Sequence, residues 1–118
     1  MLFQMRTPAE PIYHRHPSVP IAMIVIHAEF PIDPAHRDEA IEHATDLAIE
    51  SRAENGVTDY RVTTDVEEPN TLRFFERYED GAAFAAHAET DHFAEFEAAL
   101  PDLLAGEPTV TQFDVDSA

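Results

Sequence analysis

The pattern of apolar and polar positions becomes regular at residue 21. Ile21 to Phe30 is rich in β-branched residues and predicts a strand. Ile24, Ile26, Ala28 and Phe30 form one apolar row along it, and the opposite row contains His27 and Glu29. Pro31 ends the strand. Asp33 and Pro34 then supply an N-cap followed by proline in the first helical position, predicting a helix to about Glu54. Its apolar stripe is Ala40, Ile41, Ala44, Leu47 and Ala48, while Glu39, Glu42, His43, Asp46 and Glu50 cover the other face. His43 is therefore expected in solvent. Asn55-Gly56 closes the helix, with glycine where a positive φ is often needed.

Val57 to Val66 predicts a second strand, with Tyr60, Val62 and Thr64 on one side. Glu67 to Asn70 makes a short turn into a third strand, Thr71 to Tyr78, so these two strands should pair as an antiparallel hairpin. Asp80-Gly81 opens a short helix from Ala82 to about Ala88. A further helical piece runs from about Asp91 to Ala105 with Phe93, Phe96, Leu100, Leu103 and Leu104 as its stripe, and Pro101 should kink it or end it early. After Gly106, Thr109 to Val115 predicts a fourth strand.

The order β-α-β-β-α-β is that of an α+β, ferredoxin-like fold: a four-stranded antiparallel sheet with helices on one face only. Its other face needs cover, and a bare apolar sheet face signals association. A homodimer stacked sheet on sheet is expected. Residues 1–20 hold four of the nine prolines and no sustained period, so they read as an extended arm preceding a single domain over 21–118.

Composition changes this picture in three ways. At 118 residues there is room for one domain, and the 28 Leu, Ile, Val and Phe residues are enough to fold it despite the charge. Twenty-four acidic residues face seven bases, all arginine, for a net charge of −17. Such a field repels phosphate backbones and anionic membrane surfaces, so no nucleic-acid or membrane partner is expected. At about 1 M salt the Debye length falls to about 3 Å and the self-repulsion largely vanishes. An acid-rich, lysine-free chain is thus what a high-salt cytoplasm favours. Cysteine is absent, which excludes disulfides, thiolate zinc sites and thiol catalysis and makes the cytoplasm the expected compartment. The longest apolar run, Ile21 to Ile26, is too short to span a bilayer, and no secretory leader is expected.

Several residues together resemble a known family. Arg52-x-Glu54-x-Gly56-Val57-x-x-Tyr60 is similar to the helix-to-strand signature of the antibiotic biosynthesis monooxygenase domain. Phe74-Phe75-Glu76-x-Tyr78-x-Asp80-x-x-Ala83-Phe84-x-x-His87, then His92-x-x-x-Phe96, is similar to its second signature. The resemblance spans about Met23 to Val115 and implies a dimeric α/β barrel. It also implies cofactor-independent oxidation of quinols, anthrones or related phenols. Haem-degrading relatives place an asparagine, a tryptophan and a histidine where this chain has Glu29, Tyr78 and approximately Glu97, and glutamates would repel haem propionates. Haem is not expected, nor any other cofactor.

The chemistry so implied requires a base, donors for a nascent oxyanion, and a dry apolar pocket. Glu76 and Tyr78 share a face of the third strand with Phe74 and Leu72 and could orient a phenolic substrate there; otherwise the glutamate pairs with an arginine and the tyrosine packs the core. His27 stands centrally in an otherwise apolar strand, as a base or as a core histidine bonded to Glu29. His92 opens the late helix beside Phe96, and a helix N-terminus disfavours the imidazolium. The expected catalytic set is His27, His92, Tyr78 and Glu76: a histidine as base, Tyr78 as donor to the oxyanion and Glu76 as orienter. Phe74, Glu29, His87 and Phe96 are expected to bind substrate. His87 and His92 are five residues apart across a break, a poor spacing for a metal pair, and no metal site is expected. The three glycines are far apart, so no glycine-rich phosphate loop exists. Besides a monooxygenase consuming a small aromatic and dioxygen, the same pocket would suit a non-catalytic ligand-binding module, or an isomerase or decarboxylase.

Overall fold

The central strand alternates as its sequence dictates. In the computed structural model, which describes residues 5–6 and 22–116, β2 (Met23–Pro31) buries Ile24, Ile26, Ala28 and Phe30 and leaves Val25, His27 and Glu29 on the other face. It pairs antiparallel with β4 (Thr71–Tyr78) on one side and β5 (Thr109–Val115) on the other. β4 pairs antiparallel with β3 (Val57–Thr64). The sheet order β5-β2-β4-β3 is that of the ferredoxin-like fold. A two-residue strand, β1 (Met5–Arg6), adds parallel to β5 at the edge. The remainder of the predicted N-terminal arm lies outside the described residues.

The helices cover one face. Asp33 caps a 3-10 turn (Pro34–His36) by accepting from the Ala35 backbone N–H, and α1 (Arg37–Arg52) follows. α1 buries Ala40, Ala44, Leu47, Ala48 and Ser51, and His43 is exposed, as its stripe predicts. Gly56 has a φ of +86° and turns the chain into β3. That strand ends at Thr64 rather than Val66, because Asp65 accepts from the backbone N–H groups of Glu67 and Glu68 and starts the turn there. α2 (Gly81–Ala88) is capped by Asp80 and α3 (Asp91–Ala99) by Thr90. α3 stops well short of Ala105: Pro101 cannot donate to the helix, and Leu100–Asp102 forms a 3-10 turn instead.

The core lies between helices and sheet. Phe30, Phe74 and Phe96 pack edge to face or tilted with ring centroids 5.0 to 5.7 Å apart, and Leu72, Leu100 and Leu103 close around them. The opposite sheet face is mixed. Phe75, Phe113 and Val115 are about two-fifths exposed there, beside an ion-pair cluster in which Arg73 bridges Asp65 and Glu29. Among the described residues, no helix is long and apolar enough to cross a membrane.

Candidate active site

Between the sheet and the helices lies a cavity of about 200 Å³. The sheet contributes Ile26, Ala28, Phe30, Phe74, Tyr60 and Val110 to its wall, and the helices contribute Leu47, Phe84, Phe93 and Phe96. Three polar side chains interrupt this apolar lining: Glu76, His87 and Glu97.

Glu76 faces inward because it sits on the same alternation of β4 as Leu72, Phe74 and Tyr78. Its carboxylate accepts a 2.5 Å hydrogen bond from the Tyr78 hydroxyl. Burial pushes its pKa from the usual 4.5 up to about 7, against the opposing pull of the Tyr78 and Tyr60 hydroxyls. Burial and the Glu76 charge in turn push the Tyr60 and Tyr78 phenols far up, so both remain O–H donors.

A second polar group lies beside the first. Glu54, in the turn after α1, holds Oε2 at 2.8 Å from His87 Nδ1 and 2.6 Å from His92 Nε2. Two histidines five residues apart meet here because the chain turns between α2 and α3. Thr90 secures that turn: its hydroxyl donates to the His87 carbonyl and accepts from the Phe93 N–H. The turn carrying Glu54 can approach α2 closely because Gly56 has no side chain; a Cβ there would meet the Ala83 Cβ at 2.6 Å. The three donor atoms lie within 4.8 Å of one another and make a chemically reasonable metal donor set. Both nitrogens, however, stand at hydrogen-bond distance from a single oxygen, an arrangement completed by protons. Burial pushes the His87 pKa down, against Glu54, and favours its neutral ring.

The antibiotic biosynthesis monooxygenase family model matches residues 23–99. The chain belongs to this family. The Bacillus subtilis protein named "Putative monooxygenase YcnE" is 39% identical over 82 residues, which are 70% of this chain and 86% of that protein. A Caulobacter crescentus structure named "putative antibiotic biosynthesis monooxygenase" is 27% identical, with a TM-score of 0.78 over 84% of this chain and 94% of its own. A conserved protein from Methanosarcina mazei superposes with a TM-score of 0.76 at 25% identity, over 81% of this chain and 95% of its own.

The first family signature now has a physical reading. Arg52 donates to the Tyr60 carbonyl at 2.8 Å, Glu54 holds the histidines, Gly56 makes the turn, and Tyr60 joins the cavity wall. Of the residues expected to be catalytic, Glu76 lines the cavity; of those expected to bind substrate, Phe74, His87 and Phe96 do. His27 and Glu29 do not join them. Side chains alternate along β2, so both project from the face away from the helices, where Glu29 pairs with Arg73 and His27 Nε2 lies 3.5 Å from the Arg73 guanidinium. His92 lies behind the wall and is engaged by Glu54, with Glu50 3.5 Å from its Nδ1. Tyr78 is also behind the wall, and its hydroxyl is given to Glu76 rather than to the cavity.

Sequence reasoning overlooked Tyr60, Phe84, Phe93 and Glu97 in the wall, and Glu54 as the group holding both histidines. Glu54 stood inside the quoted motif, but only the helix–turn–helix geometry reveals that its side chain reaches across to α2.

Proposed function

We propose that the chain is a cofactor-independent monooxygenase that oxidises a small one-ring phenol of the quinol type with dioxygen, acting as a homodimer. The cavity carries this reading. An engineered cavity of about 150 Å³ holds one benzene ring, so the 200 Å³ here suits one ring with its substituents. One ring fits this volume more closely than a tricyclic anthrone does. Apolar walls keep water from the intermediates, and Glu76 offers a polar contact to a phenolic oxygen.

The substrate supplies all the electrons. Loss of a hydroxyl proton leaves an electron-rich phenolate, which passes one electron to dioxygen. Recombination of the two radicals forms the carbon–oxygen bond, and loss of water leaves a hydroxyquinone. Hydroquinone plus dioxygen thus gives hydroxybenzoquinone plus water, with atoms in balance. Self-association is supported by the half-exposed Phe75, Phe113 and Val115 on the sheet face that the helices leave open. Sedimentation in molar salt should return a dimer, and a monomer would refute that part.

The activity test is oxygen uptake with methylhydroquinone and with anthrone. We expect uptake with the one-ring substrate alone, with no oxygen returned on adding catalase. Returned oxygen would mean hydrogen peroxide and hence no insertion. Turnover under argon would favour an isomerase or decarboxylase.

A further inference from the structure

We infer that His87 is the general base of this cavity, its imidazole set by the Glu54 carboxylate and its Nε2, which has no protein partner, taking the hydroxyl proton of a phenolic ligand. The inference rests on the reading of the cavity as a phenol-oxidising site and names the group that begins the reaction.

His87 contributes to the cavity wall, whereas Glu54, to which its Nδ1 is bound at 2.8 Å, lies outside that wall. With Nδ1 held by Glu54, Nε2 is the ring nitrogen that remains for a partner on the cavity side. With Nδ1–H donated to a carboxylate, a neutral imidazole has its lone pair on Nε2. That nitrogen is buried and has no hydrogen-bond partner. An unsatisfied buried polar atom is costly, and packing alone does not explain it. A ligand hydroxyl placed in the cavity supplies the missing partner.

The surroundings hold the ring ready. The rings of Tyr60, Tyr78 and Phe93 stand 5.2 to 5.5 Å from it, and His92 holds Glu54 from the far side at 2.6 Å. A carboxylate that fixes the tautomer of an imidazole and stabilises the cation it becomes is the arrangement used by hydrolytic triads. The step here is proton transfer alone. The phenolic O–H bond breaks, the proton goes to Nε2, and the electron pair remains on oxygen as phenolate. The imidazolium then lies between that phenolate and Glu54. Glu54 is a positioning residue; His87 is the catalytic one.

Three measurements on the full chain in molar salt decide the matter. Nitrogen-15 NMR of histidine-labelled wild-type protein reads the tautomer without any substitution. The His87 proton should be on Nδ1, and a proton on Nε2 overturns the inference because that nitrogen could not accept another. Under argon, 4-nitrophenol reports its ionisation by the phenolate absorption band. Bound to wild type it should ionise at lower pH than when bound to His87→Gln, and identical behaviour in both overturns the inference. This arm needs no oxygen, so a wild type that oxidises no hydroquinone refutes the monooxygenase reading alone and leaves His87 to be decided by the probe.

With methylhydroquinone, His87→Gln should lose about 10² to 10⁴ in kcat, and imidazole should restore His87→Ala by about tenfold or more, which a structural role does not allow. Activity of His87→Gln within about threefold of wild type, less than 1 kcal/mol of barrier, overturns the assignment. His43→Gln, on the exposed face of α1, should be unchanged. Glu54→Gln keeps an oxygen facing Nδ1 but removes the charge, and should lower kcat about tenfold with KM nearly constant, since only the forming imidazolium loses its support. Equal kcat in Glu54→Gln and wild type would remove the positioning role.

Discussion

Replacing Glu76 with glutamine should make the protein's stability markedly less dependent on pH. The carboxyl is raised from 4.5 to about 7 in the folded chain, chiefly by burial. A raised carboxyl binds its proton more tightly folded than unfolded, so its contribution is fully present below about pH 4.5 and is lost as pH rises through about 7. Over the whole interval the loss is about 3 kcal/mol, at 1.36 kcal/mol per pH unit of displacement. Between pH 5 and pH 8 it is about 2.5 kcal/mol, because part of the titration lies below pH 5. Glutamine keeps an oxygen to accept from Tyr78 and removes the titration. Urea unfolding of wild type and Glu76→Gln at fixed molar salt, at half-unit steps from pH 5 to 8, isolates the effect, since other groups largely cancel in the difference. The variant should gain about 2.5 kcal/mol relative to wild type across that range. A relative change under about 0.5 kcal/mol, or one of opposite sign, would mean that Glu76 ionises in the folded chain without hindrance, and the burial-driven displacement described for it would fall with that result.

Gly56→Ala should destabilise the fold by about 2–4 kcal/mol in chemical denaturation, adding a left-handed backbone penalty to overpacking, because φ is +86° and the new Cβ would meet Ala83 at 2.6 Å. It should also loosen the Glu54–His87 contact, visible as a changed His87 imidazole signal; a variant as stable as wild type would contradict the packing described. The melting temperature should rise steeply between about 0.1 and 3 M sodium or potassium chloride as carboxylate repulsion is screened, and a flat curve would remove the high-salt reading of the −17 charge.

Most of the fold was legible because its main elements announced themselves by their period and by a boundary residue. β2 showed its buried row and ended at proline, α1 showed its stripe and ended at Gly56, and the hairpin followed from a short turn. The two-residue β1 had no period to announce it; Met5–Arg6 is held by backbone pairing to β5, which side-chain patterning does not encode. The site was legible only in part. Alternation placed Glu76 and Phe74 on the inner face, but the same rule, applied to His27, should have removed it from the pocket: Ile26 and Ala28 face inward, so His27 cannot. The Glu54–His87–His92 group could not be read by helical spacing, since it joins the end of one helix to two others through a turn whose angle depends on Gly56 and Thr90.

Two opposite pKa displacements in one cavity have a single cause, and that cause bears on what the cavity admits. Burial raises the Glu76 carboxyl and lowers the His87 imidazole, and in each case favours the uncharged form. Burial thus works against charge at both groups, inside a chain that carries −17. A neutral phenol and dioxygen enter such a space without the desolvation cost that a charged ligand would meet. On the proposed reading, the phenol makes the first charge itself by passing its proton to a nitrogen that no protein group occupies. Charge created where donors are already fixed and water is scarce is stabilised more strongly than the same charge brought in from solution. A cavity proposed to generate a phenolate rather than bind one is told apart from a carrier's by what it does to a bound phenol. A carrier would bind 4-nitrophenol without altering its ionisation, whereas the pocket described here should alter it through His87.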